Sequence, residues 1–139
     1  MSIELRQHER LAIGYSVTLR LMDGKQSDNK TTITNLSRGG LCFVSNLNLV
    51  QGDRIEIDLP AGQPVATLKA KVIWCRPQRG EFSTGAEFTE MSAARRARLF
   101  EMHKAIKIYQ QMTDSSGSTQ QATVEWLALH AEKFLADAP

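Results

Sequence analysis

The sequence predicts a mainly β fold that ends in two helices, and three observations lead to this fold class. Between residues 11 and 88, hydrophobic and polar residues alternate in six stretches, which is the period of a half-buried strand. Short segments rich in turn-forming residues separate these stretches, with no helical spacing between them. After residue 89 the hydrophobic residues recur at helical spacing. Strands without intervening helices favour an antiparallel barrel or sandwich.

The first predicted strand begins at Leu11, where apolar residues occupy one face and small or polar residues the other. The predicted strands cover residues 11–22, 31–34, 41–44, 54–59, 68–74 and 84–88. The inward face of the fifth strand consists of Leu68, Ala70, Val72 and Trp74. A turn at 76–80 ends that strand, and Gly85 in the last strand marks a bulge or a close approach of the backbone.

Two helices are predicted after the strands. Thr89 or Ser92 can cap the first helix, which buries one face and carries a solvated basic flank. Its buried face comprises Leu99, Met102, His103, Ile106 and Tyr109, and its basic flank comprises Arg95, Arg96 and Arg98. The second helix follows a capping box at 118–121. Its apolar stripe comprises Val124, Leu127, Ala128, Ala131, Phe134 and Leu135. This helix either covers the barrel or, with Trp126 and Leu129 on another flank, pairs with a second copy or a partner helix.

Composition and charge are those of a soluble globular protein of 139 residues, with 42% hydrophobic and 23% charged residues. The net charge of +2 does not favour bulk nucleic-acid binding. No apolar run reaches the ~18 residues of a membrane span, and the polar start has no signal-peptide core. We therefore expect a cytoplasmic protein. Cys42 and Cys75 lie in apolar strands without C-x-x-C spacing and are expected to be reduced.

Patterns of catalytic or metal-binding residues are not evident. His8, His103 and His130 fall in different predicted elements, which does not suit a metal site. Ser37 lacks the glycine two positions earlier that a nucleophile elbow has, and no Walker-type phosphate loop occurs. We expect no enzymatic activity, no metal and no cofactor, and interpret the chain as a binding protein.

Two polar segments supply groups that can bind a nucleotide. Arg6 and Arg10 lie four residues apart just before the first strand, and arginine can bind phosphate bidentately or donate to guanine O6 and N7. The predicted connection between the second and third strands is Asn35, Leu36, Ser37, Arg38, Gly39 and Gly40. Taken alone, this composition is typical of an ordinary turn. Together, the two segments can enclose a guanine nucleotide that bears phosphates.

These segments resemble the two motifs of the PilZ domain. Residues 6–10 match R-x-x-x-R, residues 35–40 match [D/N]-x-S-x-x-G, and residues 84–88 are similar to the closing G-x-x-F strand. The resemblance covers about residues 4–111 and implies a six-stranded antiparallel barrel that binds the bacterial second messenger cyclic di-GMP. It divides the chain into a PilZ-like barrel with an arginine arm and a following helix at 1–111, and a C-terminal helical extension at 112–139.

The resemblance also implies a ligand-binding set. Its members, with Arg38 added on chemical grounds, are Arg6, Arg10, Asn35, Ser37, Arg38, Gly39 and Gly40. The first two arginines would bind phosphate and the Hoogsteen edge of guanine, Asn35 the base, and Ser37 a phosphate or nearby backbone. Gly40 would keep the turn open where the ligand approaches, and Arg38 would stack or contact phosphate. The N-terminal arm would close over the nucleotide and alter the surface offered to a downstream protein partner.

Two positions depart from the family pattern, and two rival functions stay open. Asn35 stands where the family often has Asp, and Leu5 stands where some members have another Arg, which favours one bound nucleotide over a stacked pair. One rival is a PilZ-like adaptor that acts through protein contacts without nucleotide, which the intact motifs argue against. The other is a small barrel that binds single-stranded nucleic acid through surface aromatics, which the aromatic content of 6% does not favour.

Overall fold

The computed structural model describes residues 11–22, 29–60, 67–112 and 119–135, which form a closed six-stranded antiparallel barrel followed by two helices. The strands are β1 (Leu11–Leu21), β2 (Asn29–Leu36), β3 (Gly40–Ser45), β4 (Arg54–Asp58), β5 (Thr67–Gln78) and β6 (Glu81–Phe88). The helices are α1 (Ala93–Met112) and α2 (Thr119–Leu135). The barrel closes in the order β1-β2-β3-β6-β5-β4. This confirms the predicted fold class, including the six-stranded antiparallel barrel that the family resemblance implied where the strand pattern alone left barrel and sandwich open.

The interior of the barrel is filled by the predicted apolar faces of the strands. On β1, Ile13, Tyr15, Val17 and Leu19 are buried, and Leu11 and Leu21 at the strand ends are partly buried. The remaining strands add a continuous core of Ile33, Leu36, Leu41, Phe43, Ile55, Ile57, Leu68, Ala70, Val72, Ala86 and Phe88. Period-two alternation therefore predicted the buried face correctly on most strands.

Several strands are longer than the sequence pattern predicts, and the extensions of β2 and β5 matter most for the site. β2 continues through Asn35 and Leu36, because both residues pair with β3. β5 continues to Gln78, so the turn is the two-residue step Arg79-Gly80, in which both residues have positive φ of 49° and 86°. Pro77 fits in this extension although it has no N–H to donate. β4 pairs with β5 only as far as Lys71, so no strand on that side of Pro77 requires a donor.

The strand pairing between β1 and β4, which closes the barrel, is short, and side chains from the two helices bond the part of β1 that β4 does not reach. β4 pairs with β1 only from Thr18 to Leu21, which leaves the first part of β1 without a strand on that edge. The Gln120 side chain of α2 accepts a hydrogen bond from the Ser16 N–H at 2.6 Å and donates to the Ser16 carbonyl at 3.4 Å. The Lys107 ammonium of α1 donates to the Ala12 carbonyl at 2.8 Å. Side chains thus satisfy backbone groups that β4 does not reach.

A cluster of charged side chains lies on the outer face of the barrel, where β1 and β4 pair. Arg20 on β1 donates bidentately to Asp58 and also to Glu56 at 3.0 Å, both on β4. Thr67 donates a further hydrogen bond to Asp58 at 2.7 Å. The Arg20 guanidinium holds the pKa of the Asp58 carboxyl below its usual range. The cluster links β1, β4 and the start of β5 where the barrel closes.

Ser92 caps the N-terminus of helix α1, because its Oγ accepts a hydrogen bond from the Arg95 N–H at 3.1 Å. The choice between Thr89 and Ser92 is thereby settled in favour of Ser92. The predicted buried face is confirmed, with Tyr109 partly buried at its end. The basic flank, however, is not fully solvated. Arg96 is half-buried and donates to the carbonyls of Phe88 and Met91, at 2.9 and 3.1 Å, so this side chain fastens α1 to the end of β6.

A buried polar pair joins α1 to the barrel wall. The Tyr15 hydroxyl bonds Nε2 of His103, and Nδ1 of His103 lies 3.0 Å from the Leu99 carbonyl, one turn earlier in α1. A neutral ring satisfies both contacts when Nδ1 carries the proton and Nε2 accepts from tyrosine. Both side chains are buried, and burial lowers the pKa of His103 to about 4 and raises that of Tyr15.

Helix α2 packs on α1 and β1 with a face that differs from the predicted stripe. Its buried residues are Ala122, Thr123, Trp126 and Leu127, while Val124 and Ala128 are exposed. Trp126 has more apolar surface to bury than valine or alanine, and its burial rotates the helix away from the predicted stripe. The side chains of Ala131, Phe134 and Leu135, and the predicted cap at Ser118, lie outside the described residues.

The buried His103 predicts acid sensitivity of the fold. A histidine whose pKa is lower in the folded state binds fewer protons than its unfolded counterpart, so its contribution to stability is complete above about pH 6.5 and declines as the pH falls toward 4. We expect a loss on the order of 3 kcal/mol in the free energy of unfolding across this window. Urea unfolding at several pH values measures it.

The matched variant for this prediction is Tyr15→Phe/His103→Leu, which removes the titrating ring and its hydroxyl partner together. Its free energy of unfolding should depend less on pH between about 6.5 and about 4. A His130→Gln control retains the buried pair and should keep the wild-type slope. Equal slopes for the double variant and the wild type would contradict the assignment.

Candidate functional site

The turn between β2 and β3 consists of Ser37, Arg38 and Gly39, and the serine organises it. The Ser37 N–H donates to the Gly40 carbonyl at 2.8 Å, and its Oγ accepts from the Gly39 N–H at 3.1 Å. The Gly39 carbonyl in turn accepts from the Phe88 N–H at 2.9 Å. Ser37 therefore shapes the turn from within, and the turn is held against the end of β6.

Gly40 is required by the packing of the barrel. A Cβ at this residue would lie 2.9 Å from the Glu87 Cα and still closer to the Ala86 carbonyl oxygen. The β6 backbone makes a close approach to this glycine, and its predicted role toward a ligand stays a prediction. A motif glycine here serves the fold whether or not a ligand is bound nearby.

Asn35 lies beside the start of the first strand. Its neighbour on β1 is Ala12, and the next pair along the same two strands is Leu11 with Leu36. Asn35 is half-buried and sits at the end of β2, one residue before the buried Leu36 and two before Ser37. The first described residues of β1 and the polar residues of the second motif thus meet at one end of the barrel.

The strand registers extend this position into a row across the outer face of the barrel. The row runs through Ala12, Asn35, Cys42, Gly85 and Trp74 on β1, β2, β3, β6 and β5. The row on one side of it, through Leu36, Leu41, Ala86 and Val72, points into the core. Because neighbouring rows face opposite ways, Asn35 and Trp74 lie on the same outer surface. We call this the outer row.

Trp74 closes the outer row on the β5 side. Its indole lies against Gly85, where a Cβ would be 2.5 Å from Nε1 and 2.7 Å from Cζ2 of the ring. The Arg76 guanidinium lies over the same ring, 4.4 Å from its centroid. Both side chains belong to the outer face, and together they present an aromatic and cationic surface.

The inward orientation predicted for Trp74 is wrong. A one-residue bulge between Val72 and Trp74 shifts the register against β6, so that Trp74 pairs with Gly85 rather than with a core position. The extra residue, Ile73, is 41% exposed. Gly85 was the available signal, although the bulge lies opposite it on β5 and the close approach is made by the Trp74 indole rather than by a backbone.

Arg38 extends from the turn onto α1. Its guanidinium lies 5.1 Å from the centre of the Phe100 ring, and its Nη2 lies 3.9 Å from Oε2 of Glu101. Asn35, Ser37, Gly39 and Gly40 are therefore brought together at one barrel end, with Arg38 pointing toward the helix. Arg6 and Arg10 lie outside the described residues.

Among the described residues, no group of three or more His, Cys, Asp or Glu side chains is arranged to hold a metal ion. Within the same ranges, neither helix is long and apolar enough to cross a membrane. The described part of the site offers amide, hydroxyl, guanidinium and indole groups, which suit a ligand with bases and anionic oxygens.

Comparison with known proteins identifies a single family. The family model for the PilZ domain matches residues 4–103. The chain is similar to the PilZ domain with c-di-GMP of YcgR from Escherichia coli, with a TM-score of 0.63, 16% identity, and coverage of 81% of this chain and 98% of that one. No curated protein matches.

Two further solved structures are similar over part of their length. YcgR from Escherichia coli in complex with c-di-GMP aligns with a TM-score of 0.60 and 18% identity, over 79% of this chain and 49% of that one. The Bacillus subtilis inhibitor of motility (MotI/DgrA) aligns with a TM-score of 0.53 and 19% identity, over 74% and 51%. At these identities the likeness concerns the fold, and this chain spans about half of each of these two proteins.

Gly40→Ala tests whether the motif glycine is structural. The added methyl group would meet the β6 backbone, which cannot move away as a side chain can, so we expect the free energy of unfolding to fall by about 2 kcal/mol or more. Chemical denaturation without ligand measures the change. Gly14→Ala is the matched control, since nothing lies within 4 Å of a Cβ there. Equal stability of Gly40→Ala and the wild type would contradict this role.

Proposed function

This chain belongs to the PilZ domain family, and from that premise we propose that it is a non-enzymatic receptor for cyclic di-GMP. The observation that carries the proposal is the pairing of Ala12 with Asn35 and of Leu11 with Leu36. It brings the start of β1, which directly follows the first motif, beside the second motif. We therefore propose that the two motifs, more than twenty residues apart in the sequence, act together at this end of the barrel.

The arginine arm supplies the cations of the proposed site. Arg10 is bonded to Leu11, the first described residue of β1, and consecutive Cα atoms are about 3.8 Å apart. Arg6 precedes it by four residues. We assign these two arginines to the phosphates and to the Hoogsteen edge of a guanine, because a guanidinium donates two parallel hydrogen bonds to either acceptor pair.

The outer row supplies the surface on which the nucleotide lies. Asn35 can hydrogen-bond a guanine edge, and the turn shaped by Ser37 and Gly39 borders that position. Trp74 stands three strand spacings from Asn35, about 14 Å at the backbone. Between them Cys42 is buried and the Trp74 indole covers Gly85, so the exposed groups of the row are at its two ends. We assign Trp74 as an aromatic face for the second base, which sequence reasoning did not include.

Binding would act through protein contacts. Closure of the N-terminal arm over the nucleotide would change the surface beside α1, which a downstream protein partner would read. We keep the division into a PilZ-like barrel at 1–111 and a helical extension at 112–139 as part of this proposal. The exposed Leu129 and Val124 on α2 would let two copies associate, and one nucleotide per site is expected because Leu5 replaces a third arginine.

Calorimetric titration with cyclic di-GMP tests the function directly. We expect heat of binding at tens of micromolar protein or below, with a stoichiometry near one. Arg10→Ala should abolish binding while the melting temperature stays close to the wild-type value. The matched control is Arg54→Ala, which removes the same charge from an exposed residue at the opposite end of β1 and β4. Absence of heat with the wild type would favour the adaptor without nucleotide.

The role of Trp74 has a spectroscopic test. The chain has two tryptophans, and Trp126 is buried on α2. In a Trp126→Phe variant, whose remaining tryptophan is Trp74, we expect the ligand to change the tryptophan fluorescence. A Trp74→Leu variant should not show this change. It should also bind cyclic di-GMP roughly tenfold more weakly, because stacking of a base on an aromatic ring contributes about 1–3 kcal/mol. Undiminished affinity of Trp74→Leu would remove Trp74 from the site.

A further inference from the structure

Arg38 is the residue of the second motif that connects the candidate site to α1. Its neighbours Ser37 and Gly39 bond within the turn, whereas its own side chain leaves the turn and reaches the helix. The guanidinium lies against the Phe100 ring at 5.1 Å and pairs with Glu101 at 3.9 Å. Without ligand, this cation is thus directed at α1 rather than held ready over the outer row.

The partner of Arg38 is shared with a second cation. The Lys104 ammonium lies 3.7 Å from the same Oε2 of Glu101, and 5.7 Å from the centre of the Phe100 ring. Glu101 is also the only acidic residue in α1. The helix therefore places a single carboxylate, that of Glu101, beside the turn. The Arg38 guanidinium and the Lys104 ammonium compete for it.

The Arg38–Glu101 pair is weak enough to be exchanged. Both side chains are about half exposed, at 46% and 52%, and exposed ion pairs of this kind contribute roughly 0–1 kcal/mol. A phosphate diester oxygen beside the turn would offer Arg38 a charge-assisted bond, and Lys104 would remain to neutralise Glu101. The carboxylate also repels an anionic ligand, so both effects of Glu101 oppose nucleotide binding.

We infer that Arg38 is a latch: Glu101 holds it on α1 in the free protein, and a phosphate of the bound nucleotide takes it over. This inference rests on the proposed function and adds a regulatory contact to it. Release of Arg38 removes a cation from the Phe100–Glu101–Lys104 surface of α1. The same helix fixes the start of β1 through Lys107 and Ala12, so α1 contacts both sides of the site and its surface changes with occupancy.

A double-mutant cycle tests the latch by calorimetry with cyclic di-GMP. Glu101→Gln keeps the size of the side chain and frees Arg38, so we expect binding about two- to five-fold tighter, the factor that corresponds to an exposed ion pair. Arg38→Ala loses the phosphate contact, and we expect binding about ten-fold weaker. In the Arg38→Ala background, Glu101→Gln should tighten binding clearly less than in the wild type, because only the charge repulsion of Glu101 is removed and no latch remains to be released.

The control is Glu125→Gln, which makes the same charge change at an exposed position of α2 and should leave the affinity at the wild-type value. If Glu101→Gln tightens binding equally with and without Arg38, the effect is charge repulsion alone and the latch is refuted. An unchanged affinity for Glu101→Gln refutes it as well. Complete absence of binding by the wild type would instead refute the receptor function, which distinguishes the two failures.

Discussion

Backbone groups on both edges of β1 must be hydrogen-bonded, since this strand closes the barrel. β2 satisfies one edge along most of its length, but β4 reaches only the last part of the other. The remainder is bonded by Lys107 and Gln120 from the two helices, and Tyr15 bonds His103 from inside. The helices are therefore part of the closure of the barrel, and this explains why they pack where β1 begins.

The same constraint fixes the candidate site. The end of β1 that the helices hold is also the end that pairs with Asn35 and Leu36, so the site lies where barrel, turn and α1 meet. The glycines in this region have roles in the fold itself. Gly40 allows β3 to approach β6, and Gly85 makes room for the Trp74 indole. Their presence alone does not distinguish a binding turn from a structural one.

Helix α1 borders the candidate site on two sides. The Arg38 side chain extends from the turn to Phe100 and Glu101 on α1. Lys107, further along the same helix, donates to the Ala12 carbonyl at the start of β1. Changes at the turn or at the start of β1 therefore affect the same helix. The buried His103 anchors that element to the barrel, so the helix can change its surface contacts without leaving the core.

The sequence by itself determined the mainly β class, the inward faces of most strands, the buried face of α1 and the two motifs, because these depend on local periodicity and on residue chemistry. The tertiary structure decided the closure into a barrel, the adjacency of Asn35 to the start of β1, and the outward turn of Trp74. It also decided which face of α2 is buried, where Trp126 outweighs Val124 and Ala128. These features depend on strand register, on a one-residue bulge and on competition for buried area, which act between segments distant in the chain and leave no local pattern.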